Sequence, residues 1–80
     1  MKLELFKKDS CPYCQKVMKY ISAVERTDVI LCDIIQNEEN RIRLISEGGK
    51  QQVPCLFIDG KPMYESDDII EWLMDHPQRC

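Results

Sequence analysis

Lys2-Leu-Glu-Leu-Phe-Lys-Lys-Asp-Ser-Cys-Pro-Tyr-Cys14 is the stretch whose reading decides the fold. Lys2 to Lys7 alternate polar and apolar residues, the signature of a strand. Lys8-Asp-Ser10 is a polar turn, and Pro12 then starts a helix, because the first helical position does not need the N–H that proline lacks. Cys11 therefore falls at the N-cap, where unpaired amides and the positive end of the helix dipole favour an anion. A sulfur placed there should ionise more readily than a free cysteine, and the thiolate is the nucleophile. Cys14 lies in the first turn, close enough to attack a mixed disulfide on Cys11. The pair is thus unequal: Cys11 attacks and Cys14 resolves. Pro12 stiffens the turn, and Tyr13 offers an aromatic edge to whatever docks.

Working outward, Val17, Met18, Ile21 and Val24 share one face of this helix and should be buried. Arg26-Thr-Asp28 closes it. Val29-Ile-Leu-Cys-Asp-Ile-Ile35 is apolar and β-branched, as expected of a strand covered on both faces. Asn37 reads as an N-cap, with Glu38 and Glu39 complementing the dipole of a second helix. Ile42 and Ile45, with Leu44, form its apolar side, and Gly48-Gly49 ends it. Cys55–Ile58 and Lys61–Tyr64 are short strands joined by Asp59-Gly60, a two-residue hairpin signal. Ser66 is expected to cap a last helix that buries Ile69, Ile70, Leu73 and Met74 and stops at His76-Pro77. The expected order is β-α-β-α-β-β-α. The first unit is parallel with a right-handed crossover, and the hairpin adds antiparallel strands, giving an α/β fold with a four-stranded mixed sheet flanked by helices.

Eighty residues fit one domain, 1–80. A composition of 44% hydrophobic and 31% charged residues is that of an ordinary soluble globular protein. The apolar runs are too short to span a bilayer, and no signal-peptide core follows Met1, so a cytoplasmic protein without membrane attachment is expected. Residues 1–20 carry five lysines against Glu4 and Asp9, whereas residues 61–80 carry Lys61 and Arg79 against five carboxylates. Lys8 and Lys16 flank the cysteine pair, where positive charge stabilises a thiolate. Lys16 and Lys19 read equally as a solvated face. The five cysteines are odd in number and widely spaced after Cys14, which fits a reduced intracellular protein better than a disulfide scaffold.

A Cys-x-x-Cys beside a βαβ pattern indicates a thioredoxin-like redox motif. The competing reading is structural zinc, which usually takes four ligands. The other candidates are Cys32, Cys55, Cys80 and His76, and no second close pair exists among them, so no metal is expected.

With these residues in view, the sequence resembles glutaredoxins from the first strand to the last helix. Cys11-Pro-Tyr-Cys14 matches the dithiol motif of that family, where thioredoxins typically carry Gly-Pro between the cysteines. Lys8 matches a family lysine that meets the glycine carboxylate of glutathione and supports the thiolate. Val53-Pro54 matches the family's Thr-Val-Pro, with Gln52 where threonine is usual. There the proline is cis, and the valine backbone pairs with the cysteine of glutathione like an added strand. Ser66-Asp67-Asp68 matches the segment that holds the γ-glutamyl end. Helix amides suit its carboxylate and Asp67 can pair with its amine, although plain helix capping would explain Ser66 and Asp67 as well. Glu65 stands where many glutaredoxins have glycine, and Glu-Ser here is also similar to the N-terminal domain of glutathione transferases. Glu65 either adds negative charge near the glutathione amine or points to solvent. Cys55 is read as a buried core residue rather than part of the site, as is Cys32. Cys80 is terminal and open to adventitious intermolecular disulfides.

The resemblance implies glutathione-dependent reduction of disulfides in proteins and small molecules, and of glutathione mixed disulfides. Cys11 and Cys14 would be catalytic; Lys8, Tyr13, Val53, Pro54, Ser66 and Asp67 would bind glutathione. Glutathione would be a co-substrate, with no tightly bound cofactor. Partners would be disulfide-containing or glutathionylated proteins rather than nucleic acid, and the chain would be a monomer. Two alternatives stay open: a disulfide reductase served by thioredoxin reductase, and a carrier of a 2Fe–2S cluster bridging a dimer. Carriers usually show Cys-Gly-Phe-Ser, and Pro12 disfavours that arrangement.

Overall fold

The structure is a computed structural model and describes residues 2–78. Its elements follow the expected order: β1 (Leu3–Lys7), α1 (Pro12–Ala23), β2 (Val29–Asp33), α2 (Glu38–Gly48), β3 (Cys55–Ile58), β4 (Lys61–Met63) and α3 (Ser66–Asp75). The sheet runs β2-β1-β3-β4, with β1 parallel to β2 and antiparallel to β3. The β3–β4 hairpin turns on Asp59 and Gly60, both at positive φ, as a tight two-residue connection demands. Among the described residues, no helix is long and apolar enough to cross a membrane.

β1 lies in the interior of the sheet, and its alternating side chains feed two cores. Leu3 and Leu5 pack with Val17, Ile21, Leu56, Ile69 and Leu73 on the side of α1 and α3. Phe6 packs with Cys32, Ile34, Leu44, Cys55 and Phe57 on the side of α2. The rings of Phe6 and Phe57 lie 4.6 Å apart at 44°. Fully burying each such side chain stabilises the fold by about 1.5–3 kcal/mol.

Several expected burials differ, each for a topological reason. β2 is an edge strand, so Ile30 and Leu31 stay half exposed instead of being covered on both faces. The strand stops at Asp33, whose carboxylate accepts the amides of Ile35 and Gln36 and turns the chain, leaving Ile35 in solvent. Val24 is the C-cap of α1 rather than part of its buried face. In α2 the buried residue is Leu44, and Ile42 and Ile45 are exposed. Met74 of α3 is likewise exposed. Ser66 is the first residue of α3 instead of its cap, which is Glu65.

Polar alternation also hides one buried charge. Glu4 points from β1 into the side covered by α2, where Arg43 donates to both its oxygens at 2.9 and 3.2 Å and lies over the Phe6 ring. Arg26 donates to the carbonyls of Leu73 and His76, tying the segment after α1 to the end of α3.

Candidate active site

The loop before α1 is braced from two sides. Lys7 pairs with Asp9 and Asp33, and the Gln15 side chain donates to the Asp9 carbonyl. The Cys11 amide closes the turn onto the Lys8 carbonyl at 3.2 Å. Cys11 is then the N-cap of α1 in extended conformation, without a side-chain cap and with Pro12 as the first helical residue, as the sequence predicts.

Cys11 and Cys14 occupy different environments. Cys11 retains 9% of its surface, whereas Cys14 is fully buried. Burial works against ionisation of Cys11. The amides of Cys14 and Tyr13, the Cys14 thiol and the charge of Lys8 outweigh it, so its pKa lies below the ordinary cysteine value. Burial pushes Cys14 the other way, to about 12, and the neighbouring Cys11 adds to that rise. One sulfur is prepared as a thiolate while the other is held as a thiol that donates to it.

Beside Cys11, the chain crosses to β3 through a cis Val53–Pro54 bond. The Cys11 sulfur lies 3.9 Å from the Val53 carbonyl oxygen. Val53 precedes the first residue of β3, so its backbone stands outside the sheet ladder. From there a groove of about 310 Å³ runs past Tyr13, Val53 and Pro54 to Ser66 and Asp67 at the start of α3. Five of the predicted glutathione residues therefore meet along one surface. Lys8, the sixth, is half-buried behind Cys11 and acts on the cysteines through its charge.

Gln52 and Glu65 complete the groove wall. Both stood out in the sequence only as departures from the family pattern. Glu65 has φ of 73°, the left-handed side of backbone space, where glycine is at ease and a side chain is strained. A glycine would take that conformation without strain. Lys16 is more than a solvated residue, for its ammonium pairs with Asp67 across the gap between α1 and α3. Its spacing from Tyr13, three residues along a helix, was the available signal.

Cys55 and Cys32 are buried as expected. Burial pushes the Cys55 thiol up to about 11. The Tyr64 hydroxyl, beside Cys55, donates to the carbonyls of Gly48 and Lys50, and a Cβ on Gly48 would come within 2.5 Å of that oxygen. Cys80 lies outside the described residues.

A mixed sheet of this order, with an asymmetric cysteine pair at the first helix, defines a thioredoxin-like thiol–disulfide protein. A solved thioredoxin-like protein shares the fold at a TM-score of 0.76 and 23% identity, over 92% of this chain and 97% of that one. Glutathione transferase Omega 3C from Trametes versicolor matches at 0.77 and 24% identity, over 94% of this chain and 33% of that one. Glutaredoxin 3 of Escherichia coli (strain K12) is 28% identical over 67 residues, 84% of this chain and 80% of that protein. The family model described as Glutaredoxin matches residues 3–63. The chain belongs to the glutaredoxin family, and its activity is thiol–disulfide oxidoreduction.

Proposed function

We propose that this protein reduces glutathione mixed disulfides and other disulfides with glutathione as co-substrate. The observation that carries the reading is the groove that passes Val53, whose carbonyl oxygen lies 3.9 Å from the Cys11 sulfur, and reaches the start of α3, where no side chain caps the helix. Such a surface suits a short extended peptide with a sulfur at one point and an amino-acid zwitterion at one end. Cys11 thiolate attacks the glutathione sulfur of a mixed disulfide. The old S–S bond breaks, its protein sulfur leaves as a thiolate that takes up a proton, and a new bond joins Cys11 to glutathione. A second glutathione thiolate then attacks the glutathione sulfur of this bond, forming oxidised glutathione and releasing Cys11 as the leaving thiolate. By the other route the Cys14 thiolate attacks the Cys11 sulfur, expelling glutathione as the thiolate and leaving a Cys11–Cys14 disulfide that two further glutathiones reduce.

Each residue has a stated part. Lys8 and the first amides of α1 hold the negative charge on Cys11, and Lys8 meets the glycine carboxylate of the ligand. Val53 pairs through its backbone with the ligand's central residue, beside Pro54 and Tyr13. Ser66 and the α3 amides take the γ-glutamyl carboxylate, and Asp67 takes its amine. The chain works as a single-domain cytoplasmic monomer on disulfide-containing or glutathionylated proteins. Buried, unbridged Cys32 and Cys55 support a reducing compartment.

The test is to trap the Cys14→Ser variant with oxidised glutathione and map the contacts by NMR. Shifts at Lys8, Val53, Ser66 and Asp67 are expected. Silence at those four residues, with Cys11 modified, would overturn the glutathione assignment.

A further inference from the structure

We propose that Lys16 is a positioning residue for the γ-glutamyl end of the ligand, an inference that rests on the glutathione reading of the groove. Lys16 Nζ reaches from α1 to Oδ1 of Asp67. Tyr13 and Lys16 share a helix face at their three-residue spacing, so the lysine stands beside the Tyr13 wall. Both partners of the pair are more than half exposed, at 52% and 80% of their side-chain surface. A pair so wet does little to brace α1 against α3. Its effect falls on what arrives in the groove.

Stereochemistry lets Lys16 and the ligand share Asp67. An ionised carboxylate accepts at about four lone-pair positions. Lys16 takes Oδ1, and Oδ2 is left for the ligand ammonium. Charge then decides the sign of the effect. Among the described residues, the groove is lined by the carboxylates of Glu65 and Asp67 and by no cation, and Asp68 follows in the first turn of α3. Glutathione brings two carboxylates and one ammonium, so it is a net anion meeting an anionic wall. Lys16 offsets the Asp67 charge and sets a cation beside the α3 amides, where the γ-glutamyl carboxylate is to lie. The two cations of the site thus divide its length, Lys8 at the sulfur end and Lys16 at the amino-acid end.

The experiment measures binding of S-methylglutathione, which cannot react, to the reduced full chain by titration calorimetry. Lys16→Arg should bind like the parent, Lys16→Met about threefold more weakly and Lys16→Glu about tenfold more weakly. Those losses should shrink in about 1 M salt, as charge effects do and packing effects do not. Binding by Lys16→Met as tight as the parent's, or tighter, would overturn the proposal, because Lys16 would then be inert or a competitor of the ligand ammonium. Asp67→Asn separates the two levels of inference. If it weakens binding while Lys16→Met does not, the role of Lys16 alone falls. If the parent fails to bind, or Asp67→Asn is silent, the reading of this end of the groove falls and takes the role of Lys16 with it.

Discussion

The start of α2 and the starts of α1 and α3 are finished in opposite ways. Asn37 closes α2: its side chain accepts the Glu39 amide, and Glu38 and Glu39 sit in the first turn against the dipole. At α1 the N-cap is Cys11, with no side-chain cap and no acid in the first turn. At α3 the N-cap is Glu65, again without a side-chain cap and at positive φ, although Asp67 and Asp68 in the first turn face the dipole as the acids of α2 do. A good cap is worth about 1 kcal/mol, so two of the helices forgo that stabilisation. They are the two whose first turns line the groove, α1 through Tyr13 and α3 through Ser66 and Asp67. The helix that is capped lies on the other side of the sheet, where Arg43 fastens it to buried Glu4. One side of the molecule has its helix start capped by a side chain, and the other leaves two helix starts without one, at the places where the proposed reading puts the thiolate and the γ-glutamyl carboxylate.

The comparison is broken most severely at the sulfur. Cys11→Ser should abolish turnover with every disulfide, whereas Cys14→Ser should keep deglutathionylation by the one-cysteine route, measured with a glutathionylated peptide. Turnover surviving in Cys11→Ser would refute the assignment of roles. On the α2 side, Glu4→Gln should lower stability by about 1–3 kcal/mol in denaturant melts, because Arg43 loses its charged partner. Hydrogen bonding from Arg43 holds the Glu4 carboxyl below its ordinary pKa despite its burial. Its contribution is therefore full above that ordinary value and is lost as pH falls through the lowered one. Glu4→Gln should accordingly flatten the acid limb of the stability profile.

Smaller changes sharpen the contrast between helix ends. Asn37→Ala should cost about 1 kcal/mol of stability with redox activity unchanged, since α2 presents no amides to the groove. Glu65→Gly should move stability the other way, by up to about 1 kcal/mol, by relieving a side chain at φ of 73° at the entropic expense of a glycine. A loss of stability in Glu65→Gly would mean that the Glu65 side chain contributes more than its backbone conformation costs.

The reactive side was the more legible part of the sequence. Pro12 sets the start of α1 by a local rule, and that rule alone places Cys11 at the N-cap. The turn residues Asp59-Gly60 and the cap Asn37 also act locally and read correctly. The departures arise where burial depends on neighbours. Ile30 and Leu31 look like a covered strand until the sheet order puts β2 at an edge. Glu4 looks like a solvent position until Arg43 arrives from 39 residues away. Lys16 and Asp67 are 51 residues apart, and neither residue announces the other. Most of the glutathione assignment came from family resemblance, since spacing alone cannot bring Val53 and Ser66 to the same groove as Tyr13.

The central claim is that the open end of α1 makes two sulfurs, three residues apart, chemically unlike. It is tested most directly by the pH dependence of alkylation in the fully reduced protein, with the modified cysteine identified by mass spectrometry. Cys11 should react with a midpoint below the ordinary cysteine value, moving upward in Lys8→Met, while Cys14 stays unmodified across the accessible range because burial pushes it to about 12. Equal reactivity of the two cysteines, or earlier modification of Cys14, would contradict the account.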